Sequence, residues 1–363
     1  MEIGFYIGTY TGKGSEGIYF SRLDSATGQL AEPALAARTD NPSFLALHPT
    51  GNHLYAVNEN NPSGMYDPAV SAFALDRASS NLSPLNRQPS HGAAPTHLSV
   101  DPTGRCVLVA NYGSGSFASM PIRPDGSLGP VASKHQDTGG GPVADRQNGP
   151  HAHGIWPMPE KGTPAEQVAN GLRALGCDLG TDQLRLFRLD AAAAEITPAD
   201  PPFFAMPPGT GPRHIAFSRD RRFLYAVGEL ANTLSVLDIT DAQFRLVQSL
   251  STVSPRYPGK AKAAEVVLHP TANILYVTNR GPDDLVTYAL DPSTGHLREL
   301  GRLSTSGDNP RDFAVDPTGK WVLVANEYSN SIAVFGTDPT TRQPYRTGSK
   351  ITVSSPVCIL FVP

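Results

Sequence analysis

The chain has 363 residues, of which 34 are glycine and 34 are proline. These two turn-forming residues make up nearly a fifth of the sequence, against a background of roughly 12% in average proteins, so turns must be frequent. The formal net charge is −4, with 17% of the residues charged and 39% hydrophobic. This balance supplies apolar material for a large core, and it excludes a disordered acidic chain and a basic nucleic-acid-binding protein.

The sequence also shows no sign of a membrane or secretory segment. No apolar run approaches the roughly 18 residues of a membrane span, and the opening MEIGFYIGTY lacks the basic start and long apolar stretch of a signal peptide. We therefore expect a cytoplasmic protein with neither a membrane nor a nucleic-acid partner. Cys106, Cys177 and Cys358 are far apart and form no CxxC pattern, so reduced thiols are expected and no disulfide framework or zinc cluster is supported.

A repeat organises the chain. Each copy is an octad that starts with proline, alternates toward apolar residues and usually ends in a second proline. The fourth copy lacks the last proline and the fifth lacks the first. The octads are PSFLALHP (42–49), PTHLSVDP (95–102), PHAHGIWP (150–157), PRHIAFSR (212–219), AAEVVLHP (263–270), PRDFAVDP (310–317) and PVCILFVP (356–363).

Most octads are followed by a turn, a second apolar run, a third run and a weaker fourth strand. Such runs, at a period of roughly 46 to 62 residues, indicate four-stranded antiparallel blades. Seven blades predict an all-β, seven-bladed β-propeller that forms a single domain over residues 1–363. The last octad ends the chain, whereas FYIGT and GIYFSRLD open it without an octad. The two termini should therefore complete one blade and close the ring, which removes the free sheet edges.

Histidines depart from the pattern in the third octad. In an antiparallel pair the start of one strand lies beside the end of the next, so residues after the first proline should gather with those after the second run at one mouth of the channel. The third position after the first proline is apolar in six octads and is His153 in the other. A buried imidazole needs a partner, so a functional role is favoured over a core histidine. His151 lies two residues earlier and should face the same side, but no third ligand accompanies the pair, and no metal site is expected.

Charged side chains occupy the other positions that should meet at this mouth. Arg213 and Arg311 follow the first proline of their octads, whereas Glu229 and Arg280 follow second runs. Guanidiniums suit bidentate recognition of carboxylate or phosphate, while Glu229 and His153 can transfer protons. The set predicts a small anionic substrate, with no cofactor.

Tyr112 holds the position after the second run in its own blade, and Asn111 precedes it, as asparagines do in three other blades. Each asparagine is interpreted as a turn former whose side chain bonds its own backbone. The glycine-rich stretch 139–149 leads into the HAH strand and could form either a flexible cover bearing Arg146 or an ordinary loop.

At these residues the sequence resembles the seven-bladed propeller lactonases, which include the cycloisomerase-2 type of 6-phosphogluconolactonase and the fungal carboxymuconate lactonising enzymes. The likeness spans essentially the whole chain. The matching segments are GTYTGKGSEGIY near the start, LYAVNE (54–59), VANYGSGS (109–116), GPHAH (149–153), DLGTD (178–182), GPRHIAF (211–217), GEL (228–230), TNRG (278–281) and NPRDF (309–313).

The resemblance implies that His153, Arg213, Glu229 and Arg280 are catalytic, which agrees with the column comparison. The residues assigned to substrate binding are His151, Asn111, Tyr112, Asp178 and Arg311. The fourth repeat departs from the pattern, because MPEKGTPAEQVANGLRAL replaces a short turn and strand. Its second strand is predicted to be GLRALGC after a short helical excursion, which puts the place of Asp178 in doubt.

Three functions remain open at this point. The leading one is hydrolysis of a sugar lactone, 6-phospho-D-glucono-1,5-lactone, to 6-phosphogluconate, with His153 or Glu229 as base, the other as proton relay, and Arg213 with Arg280 stabilising the oxyanion. The second is reversible lactonisation of a carboxymuconate at the same site. The third is a non-catalytic propeller that binds a partner, which should present exposed aromatics at the mouth instead of paired charges. A monomer is the default expectation.

Overall fold

The computed structural model describes residues 1–59, 67–158, 171–241 and 243–362. Regular structure in these ranges consists of β-strands joined in seven four-stranded antiparallel sheets, and they contain no helix long and apolar enough to cross a membrane. The residues form two compact units. Unit one comprises residues 1–35 and 213–363, and unit two comprises residues 36–212. A single domain over residues 1–363 stays a prediction.

The strands follow the octads in chain order. The chain begins with β1 (Glu2–Thr9), β2 (Gly17–Asp24) and β3 (Ala34–Arg38). The next twelve are β4 (Leu45–Leu47), β5 (His53–Asn58), β6 (Ala69–Leu75), β7 (Leu82–Pro89), β8 (Pro95–Val100), β9 (Cys106–Asn111), β10 (Ser116–Pro121), β11 (Ser133–Gln136), β12 (Ala152–Pro157), β13 (Leu172–Asp178), β14 (Gln183–Asp190) and β15 (Glu195–Ala205). The last are β16 (Pro212–Phe217), β17 (Phe223–Gly228), β18 (Thr233–Asp238), β19 (Arg245–Ser251), β20 (Lys262–Leu268), β21 (Ile274–Arg280), β22 (Asp284–Leu290), β23 (Leu297–Ser304), β24 (Pro310–Val315), β25 (Trp321–Asn326), β26 (Ser331–Thr337), β27 (Pro344–Thr352) and β28 (Pro356–Phe361).

The predicted fold class is confirmed. Six sheets use four consecutive strands, and the seventh has the order β28-β1-β2-β3. In that sheet Ile7 of β1 lies beside Ile359 of β28, so the two termini complete one blade as predicted. The predicted strand GLRALGC is also present, as β13. The predicted helical excursion before it falls on residues 159–170, which lie outside the described ranges.

Burial changes systematically from the first strand of a blade to the fourth. The second strands β9 and β25 are buried at every residue, whereas the fourth strands β7 and β27 are half-buried or exposed at all but one residue each. A strand with neighbours on both faces reads as a continuous apolar run, and a strand with one wet face alternates. This explains why the first three runs of each repeat were conspicuous in the sequence and the fourth was weak.

The end of an octad fixes the turn that follows it. The Asp101 carboxylate accepts the backbone N–H groups of Arg105 and Cys106, at 2.7 Å each. Gly104 has φ +71°, and a Cβ there would lie 2.4 Å from the His48 ring, so the position requires glycine. His48 is the seventh residue of the preceding octad, and its Nε2 lies 3.0 Å from the Gly104 carbonyl oxygen. The hydrogen bond between His48 and the turn residue Gly104 thus joins two neighbouring blades.

Candidate active site

The first strand of a blade is irregular at the end where the site residues were predicted. The pairing of β12 with β13 shifts register between Ala152 and Gly154, which makes His153 the bulged residue. Equivalent shifts occur in β8, β20 and β24. A β-bulge re-aims the side chains next to it and is frequent beside functional sites. Of the predicted site residues, His153 and Arg311 therefore stand at these register shifts, within otherwise regular sheets.

The asparagines at the ends of the second strands hold neighbouring segments, and the prediction that they bond their own backbone was wrong. Asn279 donates to the Asp284 carboxylate at 2.8 Å and to the Thr252 carbonyl at 2.9 Å. Asn111 is fully buried and donates to Ser116 Oγ at 3.3 Å. A direct substrate contact of Asn111 stays a prediction.

Three predicted catalytic residues meet in unit one, and we call Arg213, Glu229 and Arg280 the arginine cluster. Glu229 Oε2 lies 2.8 Å from Arg280 Nη2 and 3.4 Å from Arg213 Nε. The Arg213 guanidinium also donates to the Ala264 carbonyl at 2.6 Å. All three side chains are more than nine-tenths buried. One carboxylate is thus shared by two guanidiniums, and these three side chains keep one net positive charge.

The position of β16, β17 and β21 brings these side chains together. Arg213 follows the first proline of its octad, Glu229 directly follows β17, and Arg280 ends β21. Burial, followed by the charges of Arg280 and Arg311, lowers the pKa of Arg213 to about 10, against the opposing effect of Glu229 and Glu265. Arg213 thus sits in a field of other cations, which attracts an anionic group.

Arg311 lies in the same unit and contacts an aromatic ring. Its Nη2 donates to Tyr10 Oη at 2.7 Å, and its guanidinium carbon lies 5.3 Å from the centre of the Tyr10 ring. This hydrogen bond and cation–π contact orient a cation that is less buried than Arg213. Tyr10 directly follows β1, and Arg311 lies in β24. The blade completed by the two termini and the blade of the sixth octad therefore both contribute to this contact.

Buried groups behind Arg213 were missed by the sequence analysis. His214 Nδ1 lies 2.5 Å from Glu265 Oε2, and the same oxygen lies 3.9 Å from Arg213 Nη1. Glu265 is hydrogen-bonded to Asp312, whose Oδ2 accepts the Ile359 N–H at 2.6 Å. His214, Glu265 and Asp312 each stand two residues after the start of an octad. Tabulating that position would have revealed two carboxylates in otherwise apolar strands.

Burial dominates the protonation of this group. It raises the pKa of Glu265 to about 7, against the opposing charge of Arg213. It raises the pKa of Asp312 well above the ordinary value, with the Glu265 charge adding to the effect. Burial also lowers the pKa of His214 well below its ordinary value, because a cation there would be desolvated next to Arg213. Two buried carboxyls that are close together disfavour simultaneous ionisation, so each holds a proton more tightly while the other is charged.

The other predicted residues meet in unit two, and we call Tyr112, His151 and His153 the histidine cluster. The Tyr112 and His151 rings are stacked, with centroids 4.6 Å apart and an interplanar angle of 21°. The His153 ring meets the Tyr112 ring edge-on at 5.5 Å. His151 Nδ1 lies 3.0 Å from the Tyr112 carbonyl, to which it donates. Both imidazoles therefore contact the same tyrosine, and His153 is 6% exposed.

Asp178 supports this cluster through the backbone. It ends β13 and is fully buried. Its Oδ1 accepts the His151 N–H at 2.7 Å and the Gly180 N–H at 2.9 Å. Burial raises the pKa of Asp178 to about 7, and a hydrogen bond with Asp137 raises it further. A direct substrate contact of Asp178 stays a prediction.

The glycine-rich stretch 139–149 is folded on itself around Gln147. The Gln147 side chain accepts the Val143 N–H at 3.0 Å and donates to the Leu179 carbonyl at 2.8 Å. Arg146 donates to Tyr112 Oη at 3.1 Å. The stretch therefore joins the histidine cluster through Arg146 and Gln147, and only Arg146 of this pair was singled out in the sequence. Among the described residues, no group of three or more His, Cys, Asp or Glu side chains is placed to hold a metal ion.

Known proteins of similar sequence and structure identify the family. The family described as "Lactonase, 7-bladed beta-propeller" matches residues 4–361. The 6-phosphogluconolactonase of Bacillus subtilis is 34% identical over 359 residues, which cover 98% of this chain and 97% of the relative. The periplasmic gluconolactonase of Pseudomonas aeruginosa is 35% identical with a TM-score of 0.92, covering 100% of this chain and 99% of that one. A putative 6-phosphogluconolactonase of Bacteroides fragilis is 32% identical with a TM-score of 0.91, covering 100% and 98%.

These matches extend over nearly every residue and confirm both the resemblance inferred from the motifs and the predicted enzyme class, a lactonase that acts on a carboxylic ester. The chain belongs to the family of seven-bladed β-propeller lactonases.

Proposed function

We propose that the protein hydrolyses 6-phospho-D-glucono-1,5-lactone to 6-phosphogluconate. The observation that carries the proposal is the Glu229 carboxylate held between Arg213 and Arg280, at 3.4 and 2.8 Å. Two buried guanidiniums with a single carboxylate between them favour a ligand that is negative or becomes negative during reaction. The names of the Bacillus subtilis and Bacteroides fragilis relatives point to the same substrate.

The reaction needs a base and a cation. Water attacks the lactone carbonyl carbon, a new C–O bond forms, and the carbonyl oxygen becomes an oxyanion. Collapse of this intermediate breaks the ring C–O bond, and the proton removed from water ends on the ring oxygen. We assign stabilisation of the oxyanion to Arg213 and Arg280, because donors that are already oriented cost no reorganisation during the reaction.

The ion pairs of Glu229 favour His153 as the base. A proton on Glu229 would leave Arg280 without its carboxylate and Arg213 with only the more distant Glu265, and an unpaired buried charge costs several kcal/mol. We therefore assign proton abstraction to His153 and give Glu229 the task of holding the arginines. His151, Tyr112 and Arg311 are proposed to orient the substrate.

A substrate panel tests the proposal. The purified full-length protein is given 6-phosphogluconolactone, unphosphorylated gluconolactone and a carboxymuconate, each with and without a chelator. Acid release above spontaneous hydrolysis reports the lactones, and the ultraviolet absorbance of the diene reports the muconate. We expect the largest kcat/KM for the phosphorylated lactone. Turnover of the muconate alone would replace the proposed reaction with lactonisation, and no turnover of any compound would refute both.

The phosphate on the substrate gives the panel a second use. The ratio of kcat/KM for the phosphorylated and plain lactones measures how much the protein gains from the additional anion. We expect that ratio to fall as salt is added, because screening weakens attraction between partly exposed charges. A ratio near one at all salt concentrations would argue for an uncharged sugar lactone as the substrate.

We further propose that the protein is a cytoplasmic monomer. Its three cysteines are buried and free, which suits a reducing compartment. The Pseudomonas aeruginosa relative is described as periplasmic, so the compartment needs its own measurement. Cell fractionation tests the location, and light scattering of the purified protein tests the assembly.

A further inference from the structure

The two carboxylate oxygens of Asp178 differ in the number of hydrogen bonds that they accept. Oδ1 accepts three backbone N–H groups, from His151 at 2.7 Å, Gly180 at 2.9 Å and Thr181 at 3.2 Å. Oδ2 is buried and accepts no hydrogen bond from a protein N–H or O–H group within normal geometry. One oxygen is therefore saturated, while the other needs a donor.

Asp137, at the end of β11, has the same asymmetry. Its Oδ1 lies 3.1 Å from Arg185 Nε and 2.9 Å from His135 Nε2. Its Oδ2 is buried and also lacks a donor. The Asp137 carboxyl is close enough to that of Asp178 to raise its pKa. Buried polar atoms are rarely left unsatisfied, and two carboxylate oxygens can satisfy each other only through a proton.

We propose that Asp137 and Asp178 share one proton, and that this protonated pair is the positioning device for the backbone segment that leads into His153. We assign the proton to Asp178, because Arg185 Nε lies 3.1 Å from Asp137 Oδ1 whereas Asp178 has no such cation beside it among the ion pairs described. The inference rests on the proposed function only in giving His153 a catalytic role. The sharing of the proton is independent of that function.

The segment 149–151 is packed directly on the turn that Asp178 begins. A Cβ at Gly180 would lie 2.0 Å from the Gly149 carbonyl and 2.7 Å from the His151 nitrogen. The Leu179 N–H donates to the His151 carbonyl at 2.9 Å, and the His151 N–H donates to Asp178 Oδ1 at 2.7 Å. A small movement of the Asp178 carboxyl therefore moves the His151 backbone, and with it the start of the strand that bears His153.

Loss of the shared proton should move the Asp178 carboxyl, because two adjacent carboxylates repel each other. Burial raises the pKa of Asp178 to about 7, the hydrogen bond to Asp137 adds to the shift, and the His151 N–H and the Thr181 hydroxyl oppose it. Besides Asp137 and Thr181, the charged or titratable groups that face the pair are His135 and Arg185. Above pH 7 two adjacent buried carboxylates would have only Arg185 as counter-charge. We expect the pair to separate and kcat to fall.

The sign of the stability effect follows from the raised pKa. The folded protein holds the Asp178 proton up to about pH 7, whereas an unfolded chain releases it near the ordinary value of 3.8. The free energy of unfolding therefore loses this contribution as the pH rises toward 7, and the loss is complete above it.

Asp178→Asn tests the shared proton. The amide oxygen can accept the same three N–H groups, and the amide nitrogen can donate to Asp137 Oδ2 at every pH. We expect wild-type kcat to fall by about threefold or more between pH 6.5 and 8.5, with an apparent midpoint near 7. The variant should show no midpoint in that range. Asp178→Ala should lose activity at all pH values, because three N–H groups lose their acceptor.

Asp182→Asn is a matched control. Asp182 is also buried and also binds backbone N–H groups, but it uses both oxygens, with Oδ2 on Gly209 at 2.6 Å and Oδ1 on Gly211 at 2.7 Å. An amide nitrogen there would face an N–H donor. We expect Asp182→Asn to be less stable than wild type at every pH, whereas Asp178→Asn should be more stable relative to wild type at pH 8 than at pH 5.

Two readouts need no substrate. Infrared difference spectra between wild type and Asp178→Asn should show one additional protonated carboxyl in the wild type at pH 6, because the Glu265–Asp312 pair contributes equally to both proteins. This difference should disappear with a midpoint near 7. Chemical unfolding should give the pH-dependent stability difference between these two proteins. An identical pH dependence of stability in wild type and Asp178→Asn would overturn the proposal. If these readouts behave as expected but no lactone is hydrolysed, the proposed function fails and the shared proton stands.

Discussion

The arginine cluster and the histidine cluster are held by different forces. In the arginine cluster long flexible side chains are fixed by ion pairs, with Glu229 between two guanidiniums. In the histidine cluster rigid rings are fixed by stacking on Tyr112 and by backbone hydrogen bonds. Removing a charge from the first leaves another buried charge unpaired, whereas trimming a polar atom from the second leaves the ring packing intact. Substitutions should therefore act through charge in one cluster and through shape in the other.

Both units also contain a buried carboxyl pair next to an arginine and a histidine. Glu265 and Asp312 lie behind Arg213 and His214, and Asp178 and Asp137 lie beside Arg185 and His135. In unit one the carboxyl pair contacts a predicted catalytic side chain directly, at 3.9 Å from Arg213. In unit two it acts on the backbone that precedes His153. The first pair sets the charge around a functional group, and the second sets its position.

The largest loss of activity is expected from His153→Asn. The side chain is the proposed base, and a positioned base contributes about 10²- to 10⁴-fold. Because Asn is smaller and polar, the Tyr112–His151 stack should survive and the protein should remain folded. Steady-state kinetics should therefore show a fall in kcat within that range, with His91→Asn, at an exposed position of the same unit, as the control. Wild-type kcat in His153→Asn would move the base to another residue.

Arg213→Ala should cut turnover by roughly a hundredfold, because removal of one oriented oxyanion donor costs on the order of 3 kcal/mol. Kinetics with saturating substrate measure the loss. Arg245→Ala provides the comparison, since Arg245 forms an ion pair with Asp238 in the same unit but its side chain is 71% exposed. A loss of less than about threefold in Arg213→Ala would remove this residue from the mechanism.

Glu229→Gln should affect stability as strongly as activity. The substitution leaves Arg280 without a carboxylate and Arg213 with only Glu265 at 3.9 Å, and breaking a buried ion pair costs about 3 to 5 kcal/mol. Chemical unfolding measures the change. Glu299→Gln breaks the ion pair with Arg302, in which the glutamate side chain is 40% exposed, and should cost less than about 1 kcal/mol. Equal losses in the two variants would mean that Glu229 does not hold the arginines by charge.

Much of this architecture could be predicted because each blade repeats the same local rules. The octad prolines, turn glycines and apolar runs located seven blades, and comparing equivalent positions found His153, Arg213, Glu229 and Arg280 as departures from the pattern. Such a comparison works where one blade differs from the others at a position that is otherwise uniform. His153 satisfied that condition, whereas Arg213, Glu229 and Arg280 were found by their charge at positions that vary among the blades.

The supporting contacts could not be found in that way. Gln147 donates a hydrogen bond to the Leu179 carbonyl, and the Asp137 carboxyl acts on that of Asp178. Neither residue stands at a position that repeats among the blades. Glu265 and Asp312 do stand at a repeated position, two residues after the start of an octad. That position was not compared among the blades. The asparagines were misinterpreted because local turn chemistry was assumed, whereas Asn279 reaches Thr252 at the end of the preceding blade. Contacts between blades depend on packing, which a single repeat does not contain.

The smallest effect is expected from Tyr112→Phe. It removes the hydroxyl that accepts from Arg146 at 3.1 Å and keeps the ring on which His151 stacks. If shape governs the histidine cluster, kcat should change by less than about threefold, since a single partly exposed hydrogen bond contributes about 0.5 to 1.5 kcal/mol. Tyr112→Leu removes the stacking surface as well and should lower kcat further. A phenylalanine variant as impaired as the leucine variant would show that the Tyr112 hydroxyl and Arg146 act on the substrate, and that polar contacts matter in both clusters.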